Sequence, residues 1–274
     1  MKISFLGGGN MASALIGGMC GRGFEAADIT VVELDASIRE RLQTTYGVAV
    51  LAAPDAGVFG SDVLVLAVKP QQMKAALAPF VGVLRETLVI SVAAGLRLVD
   101  IGRWLGNTGA ACPRLVRCMP NTPALIGAGV TGMFAAPEVD TAEREIAERI
   151  LAAVGSIVWV DDETRLDAVT GISGSGPAYV FHFIEALEAA GLAQGLDAAS
   201  ARRLAVGTVL GAARLAEASE DSPSALREKV TSKGGTTAAA LAHLAATGWH
   251  DTLIGAVEAA SARSRELGEQ LGQD

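Results

Sequence analysis

FLGGGNMASALIGGM, residues Phe5–Met19, sets three consecutive glycines between the end of one apolar run and the start of an alanine-rich one. Glycine adopts backbone conformations closed to other residues and lets another group come close to the main chain. The stretch is therefore either a tight turn or a loop shaped for a ligand. Lys2–Leu6 ahead of it reads as a β-strand, and Ala12–Cys20 behind it follows helical periodicity. Gly7, Gly9 and Ala12 thus form a GxGxxA arrangement on strand, turn and helix. In that setting the first glycine turns the chain and the second leaves room for a pyrophosphate. The small third residue lets helix and strand pack closely. The helix start adds unpaired N–H groups and a partial positive charge. This placement favours a dinucleotide over a plain turn.

Working outward, the alternation continues. The runs ITVVE, GVAVL, DVLVLAV, LVISVAA and RLVRCM are rich in β-branched and apolar residues, and helical segments such as Ile38–Thr45 separate them. Several are apolar almost without interruption, as strands covered on both faces are. A helix over Ala142–Val154, capped by Asp140 or Thr141 with Glu143 in its first turn, leads to a last strand, SIVWV. The fold class that follows is α/β: a Rossmann-type doubly wound sheet with helices on its faces. From Thr164 onward the pattern is helical, over Pro177–Ala190, Ala198–Ala218, Pro223–Thr231, Thr236–Ala246 and Trp249–Leu267. This divides the chain into a dinucleotide-binding domain, residues 1–162, and an all-helical domain, residues 163–274. Val180, Ile184 and Leu187 share one helical face, yet Tyr179, Phe181 and Phe183 make the other faces apolar too. A second subunit is the expected source of cover.

Composition narrows the function. The 274 residues carry 22 basic and 30 acidic side chains, a net charge of −8, with 50% hydrophobic and 4% aromatic residues. That balance suits neither a phosphate-backbone binder nor a base-stacking one, so nucleic acid is excluded. The longest uncharged stretch, Cys118–Pro137, is broken by Pro120, Asn121, Pro123 and three glycines, so no plain membrane span is expected. No basic and apolar leader pattern opens the chain. Cys20, Cys112 and Cys118 form an odd set without CxxC, which points to reduced thiols in the cytoplasm. The three histidines lack metal-ligand spacing, and no metal site is expected.

Three further clusters carry chemistry. Ala67, Val68, Lys69 and Pro70 follow the fourth strand, at the edge where a doubly wound sheet binds ligands. Lys69 faces either the cofactor's negative charge or solvent. Ser91–Gly95 ends the next strand in small residues, leaving room for a flat ring or reflecting only tight packing. Ser173–Gly176 precedes Pro177, and Ser232–Thr237 leads into an alanine-rich helix. Helix starts of this kind either cap themselves or offer N–H groups and hydroxyls to a small acid.

GGGNMA, LAVKPQ, CMPNTP, AVTGISGSGPAY and VTSKGGTTAAAL, in this order and spacing, resemble the pyrroline-5-carboxylate reductases from Lys2 to Leu267. The resemblance implies reduction of 1-pyrroline-5-carboxylate to L-proline with NADPH or NADH. It also implies a homo-oligomer: a dimer through the C-terminal helices, with larger rings up to a decamer. On the same basis Leu6, Gly7, Gly8, Gly9, Asn10, Met11, Ala67, Val68, Lys69 and Pro70 hold the dinucleotide, with Ala93 and Ala94 near the nicotinamide. Ser232, Gly235, Thr236 and Thr237 bind the substrate carboxylate and ring nitrogen, with Asn121 and Ser173 close by. Thr237 is the candidate to hydrogen-bond or protonate the nitrogen.

Three positions depart from the family's usual pattern. Lys233 stands where many relatives carry proline, and Pro54 where many carry asparagine. Glu33, at the end of the second strand, is the acid that ordinarily binds a ribose 2′-OH and repels a 2′-phosphate, whereas Arg39 and Arg41, a turn later, are within reach of a phosphate, so the choice between NADH and NADPH stays open. Other functions remain: a reductase of a related cyclic imine, or a nucleotide-sensing dimer without catalysis. A β-hydroxyacid dehydrogenase needs a lysine on the first long helix of the second domain, and Pro177–Ala190 has none.

Overall fold

Uninterrupted apolar strands must be covered on both sides, and the sheet is built around that demand. The computed structural model describes residues 1–84, 86–106 and 114–273; Cys112 lies outside them. Among the described residues eight strands form one sheet: β1 (Ile3–Leu6), β2 (Ile29–Val32), β3 (Ala49–Leu51), β4 (Val63–Leu66), β5 (Leu88–Ser91), β6 (Arg114–Met119), β7 (Gly129–Ala135) and β8 (Gly155–Trp159). Their order is β3-β2-β1-β4-β5-β6-β7-β8. All pairs are parallel except β6 with β7. The order reverses between β1 and β4, so the carboxyl ends of these two strands form the crevice where doubly wound sheets bind ligands. Every residue of β1, β4 and β5 is buried. The polar exception in β1, Ser4, pairs its hydroxyl with that of Ser61 at 2.6 Å.

Among the described residues the α-helices are α1 (Asn10–Gly21), α2 (Ala36–Tyr46), α3 (Ala56–Phe59), α4 (Met73–Leu77), α5 (Leu98–Trp104), α6 (Thr141–Leu151), α7 (Arg165–Val169), α8 (Gly176–Ala193), α9 (Ala198–Ala218), α10 (Pro223–Lys229), α11 (Thr236–Ala246) and α12 (Trp249–Gly272). Helix α1 packs Ala12, Leu15, Ile16 and Met19 into the core with no exposure. Burying each of the three larger side chains contributes about 1.5–3 kcal/mol. Helix α6 starts on a capping box in which Asp140 accepts the N–H of Glu143 and Glu143 accepts that of Asp140. None of these helices is long and apolar enough to cross a membrane.

Strand β7 falls inside the uncharged stretch Cys118–Pro137, where sequence patterning does not anticipate it. Its glycines hide it, and packing requires them. A Cβ on Gly132 would lie 2.5 Å from a Val169 methyl, and one on Gly129 3.0 Å from Ala124. A buried cation, Arg117, sits in the middle of β6 and pairs with Glu163 at 3.0 Å. The same Glu163 oxygen accepts the N–H of Leu98 at 2.9 Å.

The chain separates into two compact units, Met1–Ser175 with Glu258–Asp274, and Gly176–Val257. In the first, the C-terminal part of α12 returns to the sheet unit: Ser264 donates its hydroxyl to Asp167 at 2.7 Å, both groups being buried. In the second, α8 and α9 pack together, and Phe183 stacks on Trp249 with ring centroids 6.4 Å apart.

Candidate active site

The glycine loop leaves β1 under two constraints. The N–H of Gly7 donates to the carbonyl of Val32 at 2.8 Å, and the N–H of Ala67 donates to the carbonyl of Leu6 at 2.8 Å. The loops after β1 and β4 therefore lie side by side at the reversal of strand order. Gly7 has φ +100°, and a Cβ there would come within 2.8 Å of the Ala67 carbonyl oxygen. Both facts require glycine for the fold itself. Gly8 is wedged against α2, where a Cβ would meet Leu42 at 2.7 Å and Ile38 at 3.0 Å.

Gly9 is different. Its φ is −65°, open to any residue, and a Cβ there meets no described atom within 4 Å. It is the N-cap of α1, which has neither a side-chain cap nor an acidic residue in its first turn. The first helical bond, from the Ser13 N–H to the Gly9 carbonyl, leaves the N–H groups of Asn10, Met11 and Ala12 outside the helical ladder. Uncapped donors beside an open backbone fit a diphosphate.

Glu33 follows β2 and turns back over this loop. One carboxylate oxygen accepts the Gly8 N–H at 2.8 Å and the other the Asp35 N–H at 2.9 Å. Arg39 folds onto the same turn, its Nη1 donating to the carbonyls of Glu33 and Leu34 at 2.7 Å each. Asp35 caps α2, accepting from the hydroxyl and N–H of Ser37 and the N–H of Ile38; these bonds hold its carboxyl below the usual carboxylate range.

On the other side of the reversal, Ala67 and Val68 are half-buried and Lys69 is exposed, ahead of Pro70 at the start of a 3₁₀ turn. After β5, Ala93 is buried and Ala94 exposed. Gly95, at φ +81°, completes that loop, and α12 presses against it: a Cβ on Gly268 would lie 2.7 Å from the Gly95 carbonyl oxygen.

Asn121, just past β6, is buried. Its amide donates to the Ser173 carbonyl at 3.0 Å, and its oxygen accepts the Val130 N–H at 2.9 Å. Ser173 belongs to a π-helical turn, Thr170–Gly174, and its hydroxyl donates to the Val169 carbonyl at 3.1 Å. Gly174 seats that turn on β6, since a Cβ there would lie 2.6 Å from the Met119 methyl. The carboxyl edge of the sheet thus gathers Leu6–Met11, Glu33, Ala67–Pro70, Ala93, Ala94, Asn121 and Ser173. Val130, whose N–H fixes Asn121, is the added member; Arg39, which sequence places beside Glu33, is held on the main-chain carbonyls of that turn.

Within the second unit, Ser232, Gly235, Thr236 and Thr237 come together at the start of α11. Gly234 has φ +72°, and the Gly235 N–H returns to the Ser232 carbonyl at 3.0 Å. Gly235 is the N-cap and adds no side-chain cap; the first helical bond runs from Ala239 to Gly235. The N–H groups of Thr236, Thr237 and Ala238 therefore lie outside the helical ladder, and Ser232 and Lys233 are exposed.

Comparison with known proteins places both units. Residues 163–267 match the family described as pyrroline-5-carboxylate reductase dimerisation, and residues 2–95 match NADP oxidoreductase coenzyme F420-dependent. A pyrroline-5-carboxylate reductase of Pseudomonas aeruginosa is 45% identical over 99% of this chain and 98% of its own. The solved structure of one from Coxiella burnetii superposes with a TM-score of 0.92 at 40% identity, covering 97% of this chain and 98% of that one. A Plasmodium falciparum pyrroline carboxylate reductase with NADP bound superposes with a TM-score of 0.84 at 28% identity, covering 98% of each chain. With residues 163–267 matching the family's dimerisation region and 45% identity to a named reductase over 99% of the chain, the chain belongs to the pyrroline-5-carboxylate reductase family.

Proposed function

We propose that this chain reduces 1-pyrroline-5-carboxylate to L-proline, the last step of proline biosynthesis. The observation that carries the reading is the start of α1: among the described residues nothing crowds the Gly9 backbone, and the N–H groups of Asn10, Met11 and Ala12 beside it lie outside the helical ladder with no side-chain cap, a setting that suits a diphosphate. Leu6–Met11 and Ala67–Pro70 hold the dinucleotide, Ala93 and Ala94 flank its nicotinamide end, and Glu33 takes its ribose. The reduced nicotinamide supplies the hydride when bound. Residues 1–162 serve the cofactor and residues 163–274 the substrate and self-association, a division supported by the family matches over 2–95 and 163–267.

A protonated cyclic imine is already electrophilic, so the protein's main task is positioning. The uncapped N–H groups at the start of α11, with Ser232, Gly235 and Thr236, suit a carboxylate. Thr237 hydrogen-bonds the ring nitrogen and is the candidate proton donor. Asn121 serves the site by fixing the turn that carries Ser173.

The chain works as a homo-oligomer in the cytoplasm, a setting in keeping with the free thiols of Cys20 and Cys118. Helix α8 has no buried residue, and Phe181 is 59% exposed. That apolar surface supports a dimer through the C-terminal helices, with rings up to a decamer as its extension. The test is to mix protein, NADH or NADPH and 1-pyrroline-5-carboxylate and follow the absorbance of the reduced cofactor. Substrate-dependent loss of absorbance with formation of proline is expected; none with either cofactor overturns the reading.

A further inference from the structure

We propose that Glu33 makes this reductase select NADH over NADPH. The proposal rests on the glycine loop being the dinucleotide site and adds which dinucleotide it takes. A related reductase is known with NADP bound, so the family's fold accommodates a 2′-phosphate. This chain's turn after β2 is built against one.

The Glu33 carboxylate is fixed by the N–H groups of Gly8 and Asp35, at 2.8 and 2.9 Å, one on each oxygen. A carboxylate has about four lone-pair sites, so two remain to accept from ribose hydroxyls. A phosphate at the 2′ position offers no such hydrogen and brings a charge of about −1.5 to −2. The carboxylate cannot swing aside without giving up both charge-assisted bonds. The second acid of the turn, Asp35, adds negative charge from the α2 cap.

The cation nearest in sequence does not reverse this balance. Arg39 donates from one nitrogen to the carbonyls of Glu33 and Leu34, which holds it against the turn as a brace. Arg41, two residues on, is exposed on α2.

The experiment is a binding titration of the intact protein with NADH and with NADPH in the absence of imine, followed by fluorescence or calorimetry. NADH is expected to bind at least about tenfold tighter, a gap of about 1.4 kcal/mol. Glu33→Gln keeps the shape and removes the charge, and should bring the two dissociation constants within about threefold, chiefly by tightening NADPH. Arg39→Ala should weaken both nucleotides alike. Because either variant could misfold, the wild-type ratio is also measured at low and high salt, where a charge-based preference shrinks as salt rises. Equal or tighter binding of NADPH overturns the proposal. So does an unchanged ratio in folded Glu33→Gln, a selective loss of NADPH in Arg39→Ala, or a ratio indifferent to salt. Failure to bind either nucleotide overturns the dinucleotide reading itself, a distinct result.

Discussion

Asn121 holds Ser173 by its main chain, donating from the side-chain amide to the Ser173 carbonyl at 3.0 Å. Its other end accepts the Val130 N–H at 2.9 Å. One buried residue thus ties the end of β6, the start of β7 and the π-helical turn together. Asn121→Leu leaves two backbone groups without partners, at about 1–3 kcal/mol for each that stays buried. Urea unfolding should show a loss of about 2 kcal/mol or more, with KM for the imine raised as Ser173 loses its support. A loss under about 0.5 kcal/mol, the ordinary scatter of surface substitutions, would mean that the turn holds without this residue.

What could be read in advance was whatever local chemistry decides. The limits of α9 and α11 coincide with the periodic segments Ala198–Ala218 and Thr236–Ala246, because caps and glycines mark them. Of the two cap candidates, Asp140 and Thr141, the helix uses Asp140, and Glu143 stands in the first turn as the pattern puts it. Strand β7 was hidden because Gly129 and Gly132 lower its β-propensity, and the reason for them lies in Val169 and Ala124, distant in sequence. The continuation of helix through Thr170–Gly174 as a π turn has a similar cause, since Met119 on β6 fixes Gly174. Arg117 had a sequence signal, a cation inside an apolar strand, but its partner Glu163 lies 46 residues away. At the site, the glycine pattern gave the loop's position and Glu33 its acid. The clamp of Gly8 on Glu33 joins residues 25 apart in the chain, a contact that only the folded sheet creates.

Thr237 stands at the second position of α11, where its N–H lies outside the helical ladder and its hydroxyl belongs to the proposed substrate loop. If it hydrogen-bonds the ring nitrogen in the transition state, Thr237→Ala lowers kcat by at least about tenfold, the low end for loss of one such bond. Thr237→Ser, which keeps the hydroxyl, should restore most of the rate. Steady-state kinetics with saturating cofactor measures both. An alanine variant with wild-type kcat would remove Thr237 from the chemistry.

Asp35 gives a pH dependence whose sign is fixed. Its hydrogen bonds from Ser37 and Ile38 lower its pKa in the folded protein from the ordinary 3.8. Between the folded and unfolded values the unfolded chain binds more protons, so stability rises with pH there. The contribution is fully present above 3.8 and is lost as pH falls through the lower folded value. Thermal melts of wild type and Asp35→Ala should therefore differ at pH 7 and converge in acid. A gap that stays constant down to about pH 2, well under the ordinary aspartate range, would show that the cap does not act through its charge.

Gly7 and Gly9 separate the two meanings of the loop. Gly7→Ala puts a side chain on a residue at φ +100° and 2.8 Å from the Ala67 carbonyl, so it should destabilise the fold. The strain alone is about 1–2 kcal/mol, and the displaced Ala67 loop adds to it. Gly9→Ala meets no described atom within 4 Å and keeps an ordinary φ of −65°. Its melting temperature should stay within a few degrees of wild type, while the new methyl group intrudes where a pyrophosphate must touch the backbone. Nucleotide affinity should fall by about tenfold or more, the equivalent of one lost charge-assisted hydrogen bond. Calorimetry on the two variants, paired with melting curves, reads stability and binding separately. If Gly9→Ala binds NADH and NADPH as wild type does, the open backbone at Gly9 is not where the diphosphate lies, and the loop was a turn after all.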